Sequence, residues 1–266
     1  MTFETIELEI AERVATVTIN RPEQSNSFNG TMVREFRDLW SALARDSAVN
    51  CCVLRAAPGR AFSTGMDVKQ GWKPEDTATN DNVWNDMHPG QWLGPKSMQC
   101  WKPVVCAVHG MAAGGAFYWI NEADIVICSE DATFFDPHVT YGMTSALEPI
   151  GMMSRMPLGD VLRMVLLGNH ERVSAYAALR MALVSEVVPP GDLWARAGEL
   201  ARIIAGQPPA ATEGSVKAIW QALDMPRSVA LANGMKYCQL GNPVGTAQVD
   251  RGAIMADKAR RFALRD

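Results

Sequence analysis

Two glycine-bearing turns, AFSTGMD at 61–67 and GMAAGGAF at 110–117, are the stretches of this sequence best suited to chemistry. Glycine has no Cβ, so a ligand can approach its backbone closely. If a helix begins near Gly115, its first N–H groups lack internal partners and its dipole adds positive potential, which attracts an oxygen carrying negative charge. Two such turns converging on one carbonyl oxygen would form an oxyanion hole.

The 110–117 turn has two other interpretations. A dinucleotide-binding loop requires G-x-G-x-x-G after the first strand of the fold, and the glycine spacing here, well into the chain, does not supply it. Close packing of a helix on a sheet at Gly114, Gly115 and Ala116 would explain the composition without any ligand. The presence of two turns of this kind favours the oxyanion hole.

The elements that must position these turns alternate between short apolar strands and helices. Residues 5–22 alternate in polarity and predict two strands joined by a turn at 11–13, whereas residues 29–46 repeat apolar residues at helical spacing. Further strands are predicted in NCCVLRAA, KPVVCAVHG, ADIVICSE and, late in the chain, LVSEVV. This pattern predicts a parallel sheet covered by helices, in one core at 1–200 followed by a helical C-terminal region at 201–266.

Composition favours a small-molecule partner. The chain has 266 residues, 48% of them apolar and 20% charged, and its net charge of −4 gives no reason to expect nucleic acid. The N-terminus MTFETIELEI is acidic and alternating, and no run of about 18 apolar residues offers a membrane span. We therefore expect a cytoplasmic protein without a membrane partner.

The cysteines and histidines predict neither disulfides nor a metal site. The six cysteines include no C-x-x-C pair and fall mostly within apolar runs, which is typical of buried free thiols. The four histidines are dispersed, with no spacing typical of zinc ligands. We predict no metal.

Over nearly its whole length the sequence resembles the crotonase superfamily, the enoyl-CoA hydratase and isomerase group. The order and spacing of five stretches carry the resemblance: TVTINRPEQSNSF (16–28), AFSTGMDVK (61–69), KPVVCAVHGMAAGGAF (102–117), ADIVICSEDATFFDPHVTYG (123–142) and ALRMALVSEVVP (178–189). The resemblance implies an α/β fold with a crotonase-type ββα spiral core and a helical C-terminal trimerisation region. It also implies a homo-trimer or hexamer.

The resemblance also implies a site for an acyl-CoA thioester. The backbone N–H groups of Met66 and Gly115 would bind the thioester oxygen and stabilise an enolate. The coenzyme A moiety is part of the substrate, and no separate cofactor is expected. Residues expected to border it are Gln24, Ser25, Asn26, Ser63, Thr64, Gly65 and Gly114.

The chain departs from the family at the two positions where a typical hydratase carries glutamates. Tyr118 and His138 stand there, so both carboxylates are absent, and a simple isomerase, which usually keeps the second one, is also in doubt. A histidine with a pKa near about 6.5 suits proton transfer, and a tyrosine donates hydrogen bonds. Asp136 lies two residues before His138, on the same side if the stretch is extended, and could orient the imidazole or deprotonate water. Glu148 lies near a position where relatives with other chemistries place a carboxylate.

Each of these four side chains also has a structural interpretation. His138 could be a hydrogen-bonded structural histidine, and Tyr118 a core aromatic residue with its hydroxyl on a carbonyl. Asp136 could cap a turn before Pro137, and Glu148 could favour a helix N-terminus.

The segment between residues 69 and 99 is expected to cover the acyl pocket. Broad apolar side chains there would suit a bulky, cyclic or aromatic acyl group, and they are Trp72, Trp84, Met87 and Trp92. Alternatively, they pack this loop onto the body of the protein or onto a neighbouring subunit.

The sequence therefore predicts an acyl-CoA-processing enzyme in which Tyr118 and His138 replace the usual glutamates, with hydration or dehydration as the first choice of reaction. A second hypothesis is C–C bond hydrolysis of the retro-Claisen type, on a cyclic diketone or its CoA ester. A third, of another class, is a catalytically silent relative that binds acyl-CoA.

Overall fold

The computed structural model describes residues 2–71, 88, 90–257 and 264, and it divides into two compact units, Met1–Gly206 and Gln207–Asp266. The predicted boundary after residue 200 falls inside a helix, Leu193–Ala205. That helix continues past residue 200 because Ala197, Ala201 and Ala205 are all buried.

The described strands and helices are numbered here in chain order. The strands are β1 Ile6–Ala11, β2 Val14–Ile19, β3 Cys51–Ala56, β4 Ala61–Ser63, β5 Val104–Val108, β6 Met111–Ala113, β7 Ile125–Ser129, β8 Thr133–Phe135, β9 Val173–Ser174 and β10 Glu186–Val188. The α-helices are α1 Gly30–Leu43, α2 Gly90–Leu93, α3 Phe117–Glu122, α4 Leu147–Met152, α5 Leu158–Leu167, α6 Ala175–Arg180, α7 Leu193–Ala205, α8 Pro209–Ala222, α9 Arg227–Ala247 and α10 Arg251–Ala256.

The larger sheet has the strand order β1-β2-β3-β5-β7-β10. Strands β1 and β2 form the predicted antiparallel hairpin, and Glu12 and Arg13 turn the chain with φ values of 50° and 65°. From β2 to β10 every neighbouring pair is parallel, as the short apolar runs predict.

The smaller sheet has the order β4-β6-β8-β9, and its first three strands run parallel. Each of these three strands follows a strand of the larger sheet after a short turn: β3 leads to β4, β5 to β6 and β7 to β8. The chain thus winds as a spiral that adds one strand to each sheet per repeat. Equivalent turns of successive repeats therefore lie side by side.

Helices cover the larger sheet on two sides. Helix α1 begins at Asn29, whose side chain accepts a hydrogen bond from the Met32 amide at 3.0 Å. Its predicted apolar stripe is buried throughout, and it comprises Met32, Val33, Phe36, Leu39, Trp40 and Leu43. Helix α7 packs in a second apolar cluster with side chains of β3, β5 and β7.

None of the six cysteines, all of which lie in the described ranges, forms a disulfide; five are buried, as predicted, and Cys238 is exposed. Burial raises the pKa of Cys51 to about 12, so this thiol stays protonated and unreactive at physiological pH.

The second unit is helical. Helices α8 and α9 pack against each other, and the Tyr237 hydroxyl on α9 donates to Gln221 on α8 at 2.5 Å. In the described part of the chain, no helix combines the length and the hydropathy needed to cross a membrane.

Candidate active site

The candidate site lies at the carboxyl ends of three neighbouring parallel strands, β4, β6 and β8. These strands end at Ser63, Ala113 and Phe135. The residues that follow them are the two glycine turns predicted from the sequence and the Asp-Pro-His segment. Because the carboxyl ends of neighbouring parallel strands share one edge of the sheet, the three segments meet there.

The two glycine turns approach each other closely. Gly65 has a φ of +80°, and a Cβ added to it would lie 2.8 Å from the amide nitrogen of Gly115 and 3.0 Å from the carbonyl oxygen of Ala113. Glycine is therefore required at position 65 both for its backbone conformation and for the space that it leaves. The bare backbone at this turn faces the amide of the other turn.

Phe28 contacts both turns, a role that was not predicted from the sequence. Its amide donates to the Gly65 carbonyl at 2.8 Å, and its carbonyl accepts from the Asp67 amide at 2.9 Å. These two bonds flank Met66, so the Met66 N–H points away from Phe28. The ring of Phe28 lies beneath Gly115, where an added Cβ would be 2.5 Å from Cε1.

Neither the Met66 amide nor the Gly115 amide donates to a protein acceptor among the residues that the structure describes. Gly115 is the second residue of a 3-10 helix, Gly114–Ala116, which leads into the six-residue helix α3. The expectation of a helix dipole at Gly115 therefore needs correction, since a 3-10 turn and a short helix supply little dipole. What the turn offers is an amide without an internal partner.

Asp136 and His138 form a hydrogen-bonded pair. The Asp136 carboxylate is fully buried, and its Oδ1 atom lies 2.7 Å from His138 Nδ1 and accepts the His138 amide at 3.0 Å. The sequence argument placed both side chains on one side of an extended stretch. Instead, Pro137 has φ −87° and ψ −8°, and the chain turns into the 3-10 helix His138–Tyr141. The pair is made by this turn, in which a carboxylate binds the backbone two residues later.

The other ring nitrogen of His138 points towards a second carboxylate. Its Nε2 atom lies 3.9 Å from Oε1 of Glu148, which helix α4 carries in its first turn. This distance is too long for a direct hydrogen bond, but one water molecule at about 2.8 Å from each atom can span it. The imidazole also borders the glycine turn, because a Cβ added to Gly114 would lie 3.3 Å from His138 Cε1.

Charge and burial set the protonation of this group of side chains. The pKa of His138 is raised because Asp136 accepts its Nδ1 proton, which outweighs the effect of burial. Burial alone would raise the pKa of Asp136, but hydrogen bonds from His138 and Ser145 hold it below its ordinary value. Asp136 is therefore ionised at neutral pH, which suits it to orienting the imidazole rather than to accepting a proton from water.

Tyr118, on helix α3, is a hydrogen-bond donor in this site. Burial and the neighbouring Glu148 carboxylate raise the pKa of its hydroxyl above the ordinary range. Its ring packs against Gly90, where an added Cβ would lie 2.5 Å from Cδ1. The hydroxyl thus keeps its proton and cannot act as a base near neutral pH.

Two further polar residues of the site were not predicted. Ser145 donates its hydroxyl proton to Oδ2 of Asp136 at 2.7 Å. Asn121 donates from Nδ2 to the backbone carbonyl of Glu148 at 2.8 Å and so ties α3 to α4. The first bond joins residues 9 apart in the sequence and the second joins residues 27 apart. No local spacing pattern predicts such contacts.

Of the residues expected to border coenzyme A, Gln24, Ser25 and Asn26 lie on the loop after β2, whereas Ser63, Thr64, Gly65 and Gly114 lie at or in the two glycine turns. Ser25 and Asn26 have left-handed φ values of 55° and 54°. The Asn26 side chain is buried, accepts from the Arg21 amide at 2.9 Å and donates to the Ala61 carbonyl at 2.9 Å. The Asn26 side chain therefore ties its loop to β4. The Ser63 hydroxyl accepts from the Gly65 amide at 3.2 Å, within its own turn.

The predicted acyl pocket is described only in part. Trp72, Trp84 and Met87 lie outside the described residues. Trp92, on α2, is 5% exposed and lies in the main core, with the Arg37 guanidinium 4.9 Å from its ring. This packing against α1 accounts for Trp92 without a ligand.

Across the described ranges, no group of three His, Cys, Asp or Glu side chains is arranged to hold a metal ion.

The pKa shifts of the pair predict a dependence of folding stability on pH. The contribution of His138, whose pKa is raised, is complete below about pH 6.5 and is lost as the pH rises through the folded-state pKa. The contribution of Asp136 to folding stability is present above about pH 3.9, because its pKa is lowered in the folded state. This contribution is lost as the pH falls through the folded-state pKa of Asp136. The pair therefore stabilises the fold most between these limits.

We expect the free energy of unfolding of the wild type to exceed that of His138→Gln by more at about pH 6 than at about pH 9. Urea denaturation of both proteins at the two pH values measures this difference. An equal difference at both pH values would contradict the pairing of Asp136 with His138.

Comparison with known proteins gives consistent matches. A family model described as enoyl-CoA hydratase/isomerase matches residues 9–256. The (E)-benzylidenesuccinyl-CoA hydratase of Thauera aromatica is 32% identical over 236 residues, which cover 88% of each chain. The hydroxycinnamoyl-CoA hydratase-lyase of Pseudomonas fluorescens is 28% identical over 208 residues, covering 75% of this chain and 72% of that protein. The crystal structure of an enoyl-CoA hydratase/isomerase from Mycobacterium paratuberculosis superimposes with a TM-score of 0.82 at 32% identity, covering 97% of this chain and 96% of the other.

Proposed function

Because the chain belongs to the enoyl-CoA hydratase/isomerase family and has its crotonase-type α/β fold, we propose that it acts on an acyl-CoA thioester held by the amides of Met66 and Gly115. One observation carries this proposal. The glycine turn that supplies one free amide directly borders the imidazole of His138, at 3.3 Å from the Cβ position of Gly114. A carbonyl oxygen bound at the turn would place the rest of the acyl group beside a proton-transferring side chain.

The proposed reaction is the hydration of an enoyl-CoA or its reverse. A water molecule lies between Nε2 of His138 and Oε1 of Glu148, and its oxygen bonds to Cβ of the enoyl group as His138 takes the proton. The electron pair of the double bond moves to the thioester oxygen, which the two amides stabilise as an enolate. The imidazolium, paired with Asp136, carries the proton that Cα then takes up.

Glu148 and Tyr118 complete the site. The structure brings a carboxylate to His138 from helix α4, although both family glutamate positions lack one. Tyr118, with its proton retained, donates towards the Glu148 carboxylate beside the water. The site therefore has a base, a second carboxylate and a donor, which argues against a catalytically silent relative.

The acyl group that we propose is bulky and carries an aromatic ring. Two of the similar proteins are named for acyl groups with aromatic rings, benzylidenesuccinyl-CoA and hydroxycinnamoyl-CoA. The sequence adds Trp72 and Trp84 to the segment expected to cover the pocket.

A second candidate is hydrolysis of a C–C bond in a β-keto thioester, which the buried Asp136–His138 pair favours because such pairs activate water. Water would add to the β-keto carbonyl, the bond between Cα and Cβ would break, and its electron pair would pass to the thioester enolate. A proton taken up at Cα completes the step. The amides of Met66 and Gly115 would again stabilise the enolate, and His138 would again take the proton of the water.

A panel of thioesters tests both candidates. The purified protein is mixed with crotonyl-CoA, cinnamoyl-CoA and 2-oxocyclohexane-carboxyl-CoA in ¹⁸O-labelled water, and products are identified by mass spectrometry. Hydration gives a labelled 3-hydroxyacyl-CoA, whereas C–C hydrolysis gives a labelled carboxylate on an opened ring. Binding of these thioesters without turnover of any would support the silent relative and overturn the proposed enzyme.

We further propose a homo-trimer or hexamer. Large apolar side chains stand exposed on and between α4 and α5, and include Leu147, Ile150, Met153, Leu158 and Leu162. Such a patch is typical of a surface that another subunit covers. Analytical ultracentrifugation of the purified chain measures the assembly, and a monomer at micromolar concentration would contradict it.

A further inference from the structure

Ser145 lies in the connection between the two side chains proposed to hold water. This connection joins the 3-10 helix that begins with His138 to helix α4, which carries Glu148. Its residues from Gly142 to Ala146 are exposed, except that Ser145 is half-buried. Ser145 turns inwards and donates its hydroxyl proton to Oδ2 of Asp136 at 2.7 Å.

The two carboxylate oxygens of Asp136 have different partners. Oδ1 accepts from the backbone amide of His138 and contacts the imidazole Nδ1, while Oδ2 accepts from Ser145. The carboxylate is fully buried, so these contacts, rather than bulk water, determine how its negative charge is distributed. Because the His138 amide holds Oδ1 independently, loss of the hydroxyl should leave the carboxylate facing the ring.

Few charged groups act on the imidazole. Asp136 and Glu148 favour its protonated form, and Tyr118 on α3, which interacts with both carboxylates, is neutral. Helix α5 also packs against the 3-10 helix of His138 and brings Asp160 and Arg163. Arg163 is paired with Glu171 at 2.7 Å.

The short turn after α5 also packs against this 3-10 helix and brings the exposed His170. No electrostatic effect of His170, Asp160 or Arg163 on His138 is resolved in the described part of the chain. The charge of Asp136, as shared with Ser145, is therefore the main influence on the imidazole.

We propose that Ser145 is a positioning residue that sets the proton affinity of His138 by taking a share of the negative charge of Asp136. In its presence the carboxylate stabilises the imidazolium less than an unshared carboxylate would. The catalytic consequence rests on the proposed function, in which His138 accepts a proton from water, but the effect on His138 itself does not.

The direct test is the ¹H NMR titration of the His138 Cε1 proton in the whole protein, assigned by its absence from His138→Gln. Ser145→Ala should raise the pKa of His138 by roughly half a unit. The free energy of a hydrogen bond to a charged group is larger than this shift represents, but only part of that energy affects the protonation of the imidazole. Ser145→Thr, which keeps the hydroxyl, should restore the wild-type value. Asp136→Asn should lower it.

Thr144→Ala is the matched control, because Thr144 is the exposed neighbour of Ser145 in the same connection. It should leave the His138 titration unchanged. No change in Ser145→Ala, or a fall, would overturn the inference, as would an equal rise in Thr144→Ala.

The pH profile of kcat/KM distinguishes this inference from the proposed function. If both hold, the acid limb of the profile moves up in Ser145→Ala together with the NMR titration. A shifted titration with an unshifted rate profile would keep Ser145 as the residue that tunes His138 and would contradict His138 as the base.

Discussion

His138→Gln is expected to lower kcat/KM for the thioester substrate by about 10²- to 10⁴-fold, the usual contribution of a general acid or base. Glutamine can still hydrogen-bond to Asp136, but it cannot take the proton of a water molecule held near Glu148. The loss should appear mainly in kcat, because the substitution leaves in place the backbone amides proposed to bind the thioester oxygen. Steady-state rates with the substrate identified from the thioester panel give the measurement.

His170→Gln is the matched control for this variant. His170 is exposed in the turn after α5, and its replacement makes the same chemical change away from the site. Its activity should equal that of the wild type. If His138→Gln kept a rate within a few-fold of the wild type, the water would be activated by another group, and Glu148 would become the candidate base.

Gly65→Ala is expected to lower kcat/KM by about 10²- to 10³-fold, as the loss of one oxyanion-hole donor does. The new methyl group would lie 2.8 Å from the Gly115 amide nitrogen, where the thioester oxygen is proposed to bind. A residue with a Cβ is also strained at a φ of +80°, so that the turn carrying Met66 would shift. Both amides would then lose their alignment.

This prediction has a readout that does not depend on turnover. Acetoacetyl-CoA bound in an oxyanion hole is stabilised as its enolate, whose ultraviolet absorbance the wild type should induce and Gly65→Ala should not. Gly142→Ala is the control, since Gly142 has a φ of +73° and a Cβ there would meet no described atom within 4 Å. Gly142→Ala should lose about 1 kcal/mol of folding stability from the backbone strain alone and keep the enolate signal. An enolate signal of wild-type strength in Gly65→Ala would contradict the oxyanion hole at these turns.

Sequence patterns predicted the framework because the framework depends on local regularities. The alternation in residues 5–22 gave β1 and β2, and the helical spacing from Met32 to Leu43 gave the buried face of α1. The two glycine turns were recognised because glycine next to a strand end has a direct conformational meaning. Their approach to each other follows from the parallel order of β4 and β6.

The sequence did not predict how the polar side chains pair. The bond from Ser145 to Asp136 and the bond from Asn121 to the Glu148 carbonyl both depend on the paths of turns that no periodicity describes. The proximity of Asp136 and His138 was anticipated, but from an extended chain, whereas Pro137 imposes a turn. For Trp92 the sequence left open a place in the acyl pocket or packing of its loop onto the body of the protein, and the structure shows the packing.

The spiral has an evolutionary consequence. The groups proposed to bind the anion, after β4 and β6, are main-chain amides, whereas those proposed to transfer protons, after β8 and on α4, are side chains. Point mutations can replace these side chains with other acids and bases, while the main-chain amides still bind the anion. In an ancestor with this architecture, single substitutions could thus change the reaction while stabilisation of the shared enolate intermediate was kept.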